Sequence, residues 1–296
     1  MRSYRIKCLL WCLCLLPLAE DFLSAQSFAM ESNTDFGTEE MLYLDSHPYP
    51  MRPLDTEVLR LYYKLHLTLD GQDGGFVIDR ILQIGRHYTK DVALARFLSD
   101  SLLRSEEAHM SSRAKLYYHK ANFLLAEDCI YKNSKENRLI FTGRLAADDF
   151  LYEELIAPIN WSLGKSRKTI CGYPCRDAEA QFRGRNYKVW FTESLPSSAG
   201  PWKLQGLPGV ILSVDVDQGA CTMEAEKVIN CAGNIYMTDY PYVTITRQQY
   251  RTLQLQLLKD PTLFSYNHSG RSNWITILSD QRTPQNLPKP FFLEKP

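Results

Sequence analysis

The residues with the most chemical potential in this chain are its cysteines, a paired arginine motif and an adjacent pair of glutamates. Cys171 and Cys175 bracket a Gly172-Tyr173-Pro174 turn. Three residues over a turn can bring the two Cα atoms within bridging range, and two thiolates can also begin a soft-metal site. A disulfide, a thiol metal or redox site, and two separate thiols therefore stand side by side. A copper(I)-type site needs a third soft ligand, and no His or Met lies nearby in sequence. Cys221 and Cys231 sit ten apart around an expected hairpin and form the preferred disulfide pair. Arg183 and Arg185 straddle Gly184. On a strand they share one face and can grip a carboxylate or phosphate. The competing reading is a solvated strand face near Asp177, Glu179 and Glu193.

The remaining polar residues point away from known chemistry. Glu153 and Glu154 are neighbours, so on a strand they face opposite sides, which weakens a paired-acid hydrolase. The six histidines include no H-x-x-x-H or H-E-x-x-H arrangement, and His66 falls on the polar side of a strand. No nucleophile elbow, phosphate loop or dinucleotide fingerprint is present. No catalytic residue, metal or cofactor is assigned on these grounds.

The element that must organise the rest is the corner at residues 194–217. Leu207-Pro208-Gly209-Val210 fits a type II turn, in which Pro208 pre-sets φ and Gly209 takes the positive φ of the third position. The strand that follows alternates, with Leu212, Val214 and Val216 inward and Ser213, Asp215 and Asp217 outward. Trp202 and Tyr187 read as corner packing, as does Trp190.

Around that corner the chain reads as many strands and two helices. Residues 58–69 alternate almost without error and, after turn residues Asp70 to Gly75, residues 76–84 form a hairpin partner ending at Gly85. Residues 91–104 take helical period, with Asp91 as the expected N-cap. Residues 115–131 read as one or two strands and residues 133–137 as a turn. Further strands are expected over 138–145, 150–159, 188–192 and 220–228, with turns after Gly164, at Gly172-Tyr173-Pro174 and at Ala232-Gly233-Asn234. Thr246 and Gln249 make a capping box for a helix over 246–259, stopped by Pro261. Short turns between strands favour antiparallel pairing. The expected fold is α+β and mainly antiparallel β: a bent sheet, half-barrel or sandwich, packed by one or two helices.

The first 25 residues differ from the rest. A basic start (Arg2, Arg5, Lys7), an apolar run over 8–19 and Ser24-Ala25 describe an export signal cleaved near Ala25–Gln26. The apolar run is too short to span a bilayer comfortably. A flexible leader is expected over 26–54, a single β-rich domain over 55–281, and a Pro-rich tail over 282–296. Basic and acidic residues are equal in number, 34 each, so charge supplies no footprint for nucleic acid or an anionic membrane. Signal removal takes Cys8, Cys12 and Cys14 and leaves an odd number of cysteines for an oxidising compartment.

The run Gly206-Leu207-Pro208-Gly209-Val210-Ile211 resembles the hexapeptide of the GLPGLI family of exported Bacteroidetes proteins, with Val210 standing for a leucine. Surrounding residues resemble other family elements in order: Ile170-Cys171-Gly172-Tyr173, Cys175 with Ala178, Phe182-Arg183-Gly184-Arg185, Trp190-Phe191-Thr192 and Gly200-Pro201-Trp202. Ile81 to Gly85 resembles an earlier one. The family has no established activity. The resemblance implies an exported protein, periplasmic or associated with the outer membrane or cell surface. The resulting expectation is a non-enzymatic protein that binds a partner protein or an apolar ligand, the latter by analogy with lipoprotein carriers. An unrecognised hydrolase-like enzyme and a thiol or metal handler using Cys171 and Cys175 remain as alternatives.

Overall fold

The computed structural model describes residues 50–68, 75–104, 128–145 and 148–260. The signal, most of the leader, the turn at 69–74, the expected strand over 115–127 and the Pro-rich tail lie outside the described residues. Among those described, thirteen strands form one sheet, antiparallel except where β13 meets β6. In chain order they are β1 (Met51–Thr68), β2 (Gly75–Gly85), β3 (Tyr88–Ala93), β4 (Cys129–Asn133), β5 (Arg138–Leu145), β6 (Asp148–Leu155) and β7 (Ser162–Ile170). Then follow β8 (Tyr173–Phe182), β9 (Arg185–Thr192), β10 (Val210–Val216), β11 (Cys221–Asn230), β12 (Asn234–Thr238) and β13 (Val243–Thr244). Spatial order is β13-β6-β5-β4-β3-β2-β1-β11-β10-β9-β8-β7, with β12 on the start of β1. Helices α1 (Leu94–Arg104) and α2 (Arg247–Lys259) complete the described elements.

Alternation built the centre of this sheet as expected. Leu59, Leu61, Tyr63 and Leu65 of β1 are buried on one face, while Val58 and His66 are exposed. The strand begins at Met51, earlier than the leader boundary expected at residue 54. Pro53 is accommodated because the register with β12 slips between Pro53 and Asp55. A second slip, between Glu57 and Leu59 against β2, turns the fully buried Glu57 to the opposite face from Leu59. There it meets Arg60 at 2.7 Å and accepts from Gln83 Nε2 at 2.9 Å.

Tight turns explain the meander. The β7–β8 and β8–β9 hairpins close through two residues each, Cys171-Gly172 and Arg183-Gly184, all with positive φ between 47° and 80°. Mirror-image turns of this kind match the right-handed twist of the strands. The Cys171-Gly172 turn sits one residue earlier than the expected Gly172-Tyr173-Pro174, and Pro174 is already in β8. The expected stop at Gly164 is also absent. β7 runs through it because a β-bulge folds around Asp177, whose carboxylate lies where a Cβ of Gly164 would stand.

The sheet is open but strongly curled. The six residues between β6 and β7 connect opposite ends of the strand order, and six residues reach at most ~20 Å. Across that gap Arg183, in the β8–β9 turn, meets Glu154 of β6 at 2.9 Å. The inner face holds the main apolar core, completed at one edge by Tyr250 of α2 against Phe141, Phe150 and Tyr152. Thr246 and Gln249 form the expected capping box of α2. α1 starts three residues later than expected, because Asp91 belongs to β3 and caps nothing.

Candidate functional site

Residues 193–209, between β9 and β10, fold into the curl of the sheet. Leu195, Ala199, Trp202, Leu204 and Leu207 are all buried and belong to the central core. Trp202 stacks near Tyr187, with ring centroids 6.1 Å apart, and meets Phe182 edge-on. Internal hydrogen bonds give the corner its shape: Leu204 N–H to Pro201 O (3.1 Å), Gly206 N–H to Ser198 O (3.2 Å) and Ile211 N–H to Ala199 O (3.0 Å).

Side chains from distant strands satisfy the groups that remain. Lys132 of β4 donates to the Gly200 carbonyl at 2.7 Å and to the Leu204 carbonyl at 2.8 Å. Asp91 of β3 accepts the Trp202 N–H at 2.9 Å. The Tyr63 hydroxyl of β1 donates to the Ile211 carbonyl, and Trp161 Nε1 donates to the Gln205 carbonyl at 2.9 Å. The corner returns one cation: Lys203 reaches the Tyr152 hydroxyl at 2.9 Å and Glu154 at 3.0 Å, its ammonium lying 5.2 to 5.9 Å from the rings of Tyr152, Trp202 and Phe141. Buried backbone polar groups must be paired, and here buried charges do the pairing.

These charges are themselves supported. Arg80 of β2, buried, donates from Nε to Asp91 at 2.7 Å and from Nη1 to Asp128 at 2.9 Å. Its guanidinium is held firmly charged: burial opposes it, and the two carboxylates overcome that opposition. Among the described residues Lys132 has no carboxylate in contact. Burial pushes its amine down to about 8, against a smaller opposing pull from Asp91. A buried lysine with a lowered pKa is a recurring catalytic device, but this one is directed at two main-chain carbonyls.

Gly209 does not take a positive φ, so the expected type II turn is corrected. The left-handed positions of the corner are Trp202 (φ 52°) and Gly206 (φ 91°). Gly209 is required for another reason. A Cβ there would lie 2.1 Å from the Thr192 carbonyl oxygen, because the end of β9 passes directly against it. β10 follows as expected, although Ser213 on its outward side is only 8% exposed.

The other expected sites separate in space. Arg183 and Arg185 are not a strand pair gripping an anion. Arg183 is a turn residue ion-paired with Glu154, and Arg185 opens β9 and meets Asp217 at 2.7 Å. Neither partner is among the acids expected beside them. Cys221 and Cys231 form no disulfide. They flank β11, a single strand rather than a hairpin, and Cys221 is a free buried thiol pushed up to about 12 by burial. Cys171 and Cys175 are also free thiols, pointing to the Ala225 and Tyr173 carbonyls at 3.0 and 3.4 Å. Burial raises both above the ordinary thiol range, which disfavours the thiolate a metal would need. Among the described residues no group of three or more His, Cys, Asp and Glu is placed to hold a metal. Glu153 and Glu154 face different partners, Arg138 and the Arg183–Lys203 pair.

Sequence reasoning gave no site role to Tyr63, Lys132 or Lys203, read Asp91 as a helix cap, and set Glu154 aside with Glu153. One signal was present: Lys132 shares strand phase with buried Ile130, a polar residue on an apolar face.

No protein-family model matches the chain, and neither does any curated protein. Two solved structures of PNGF-II, in the P21 and C2 space groups, are similar to it at 15% identity with TM-scores of 0.47 and 0.46. Each comparison covers 66% of this chain and 32% of the PNGF-II chain, so this chain spans about a third of that protein.

Proposed function

We propose that the protein is an exported, non-enzymatic binding protein of the cell envelope, of the GLPGLI type, and that it engages a partner protein. The observation that carries this reading is the complete internal commitment of the signature corner. Of the groups able to do chemistry there, Lys132, Asp91 and Tyr63 are spent on holding main chain, and Lys203 on the Tyr152 hydroxyl and Glu154. The hexapeptide thus serves shape, and function falls to the surface it shapes.

The partner-protein reading is favoured over an apolar ligand because the corner's own Leu195, Trp202, Leu204 and Leu207 fill the curl of the sheet. The opposite face is polar where β1, β11, β10, β9 and β8 lie side by side. The registers align Glu224 with Lys64 and Ser213, Ser213 with Trp190, and Lys188 with both Asp215 and Glu179. Lys188 and Glu179 are about half exposed, and Lys168 covers the Trp190 ring at 4.8 Å. An aromatic residue flanked by both signs of charge suits a transient protein contact. Affinity capture from native envelope, with mass spectrometry of proteins and lipids, tests the reading. A stoichiometric protein partner that binds again when purified, and is lost on Trp190→Ala, supports it. A stoichiometric lipid in place of a protein would return the apolar-ligand reading.

A further inference from the structure

A polar cleft of about 280 Å³ opens where β3, β4, β5 and β6 meet the start of β1. It is small for a ligand pocket. Its rim carries two cations and two anions, Arg52, Arg138, Glu136 and Glu153, so it offers no net charge. The arginines are already neutralised: Arg138 donates to Glu153 and lies 3.8 Å from Glu136, and Arg52 meets Asp239 at 3.0 Å. A charged ligand gains little from cations so paired.

Two neutral groups in the cleft are different. Asn133 is 5% exposed, and its side-chain carbonyl accepts the Lys135 and Glu136 N–H groups at 3.0 and 3.2 Å. That fixes the amide orientation and leaves its NH2 end to the cleft; among the described residues it donates no hydrogen bond. The Tyr88 hydroxyl, also lining the cleft, has no hydrogen bond among the described residues either. The Asn133 NH2 and the Tyr88 hydroxyl are thus donors that open into the cleft and that a ligand can use.

We propose that this cleft binds a single neutral sugar ring. Each sugar hydroxyl both accepts and donates. It can accept from Asn133 NH2, the Tyr88 hydroxyl and the exposed N–H groups of Arg138, and donate to Glu136 and Glu153, without breaking an ion pair. The cleft volume of about 280 Å³ accommodates one pyranose, and the polar lining matches its hydroxyls rather than its C–H face. The site is separate from the surface proposed above for a partner protein.

The test titrates the full chain with D-glucose, D-galactose, D-mannose and N-acetyl-D-glucosamine, each to ~20 mM, by saturation-transfer NMR, with glycylglycine as a zwitterionic comparison. At least one sugar is expected to bind saturably. Asn133→Asp keeps the carbonyl that accepts the turn and replaces the NH2 by an acceptor; Tyr88→Phe removes one hydroxyl. Each is expected to weaken binding by about fivefold or more, as loss of a hydrogen bond requires. Should Asn133→Asp fail to fold, Tyr88→Phe decides alone. No saturable sugar binding, binding of glycylglycine only, or sugar binding indifferent to the folded variants would each overturn the proposal.

Discussion

Lys132 and Leu204 are 72 residues apart, and the Lys132 ammonium donates to the Leu204 carbonyl oxygen at 2.8 Å. Together with the 2.7 Å bond to Gly200, this contact joins β4 to a corner that leaves from β9, with five strands between the two in the sheet. Only a curled sheet permits it. Lys132→Met leaves two buried carbonyls unpaired and is expected to lower stability by about 2–4 kcal/mol, as read by urea unfolding.

The same lysine sets a pH dependence. Its folded pKa of about 8 lies below the ordinary value of 10.5. Between those values the unfolded chain holds the proton and the folded chain does not, so stability rises with pH across that window. Below pH 8 both states are protonated and the penalty is fully present. The two carbonyls also favour the ammonium, so the gain from pH 8 to 10.5 is at most about 3 kcal/mol. In Lys132→Met this component of the slope disappears. Urea unfolding of both proteins at pH 7.5 and 10 checks it, and an undiminished slope in the variant would assign the effect elsewhere.

Gly209 and Gly206 are glycines for different reasons, and their substitutions separate them. At Gly209 any side chain meets the Thr192 carbonyl, so Gly209→Ala, Gly209→Asn and Gly209→Val are all expected to cost about 3 kcal/mol or more. For a chain of this size that lowers Tm by about 6–12 °C. At Gly206 a Cβ meets nothing closer than 4.0 Å, and only the φ of 91° opposes it. Gly206→Asn is therefore expected to cost less than Gly206→Ala, itself about 1–2 kcal/mol. Calorimetry on the five variants checks the order; a Gly209→Asn protein as stable as wild type would contradict the steric account.

Asp91→Asn removes the carboxylate that holds buried Arg80 and receives the Trp202 N–H. Buried Arg80 then keeps Asp128 as its one carboxylate, with an expected loss of about 3 kcal/mol. Arg80→Met together with Asp91→Asn is expected to recover part of it, because the buried charge is gone. Unfolding curves for the single and double variants measure the difference.

Cys221 is buried and its thiol pushed up to about 12. Iodoacetamide on the native protein at pH 8 is expected to spare it and, after unfolding in urea, to label it. Peptide mass spectrometry reads both states. Native labelling of Cys221 would contradict its burial.

Much of the sheet was legible from alternation. β1 and β5 follow period-2 patterns because one face of each meets the inner core, and α2 follows its capping box. β3, β7, β8 and β12 were not legible. β3 carries Lys90 and Asp91 as buried residues, so its pattern is not apolar against polar; its charges find partners on β2, β12 and α1. Local pattern has no access to such pairings. The Gly164 stop failed for the same reason, since the bulge there depends on Asp177 from the neighbouring strand.

By itself the sequence determined the central strands, α2, the preference for antiparallel pairing and the importance of the corner at residues 194–217, because turns and alternation are local physics. Tertiary structure alone decided what the corner does. The curl of the sheet brings Lys132, Asp91 and Tyr63 to its main chain, places Thr192 against Gly209, and sets Cys221 and Cys231 at opposite ends of one strand. Those relations join residues far apart in the chain, and only the packed strand order brings them into contact.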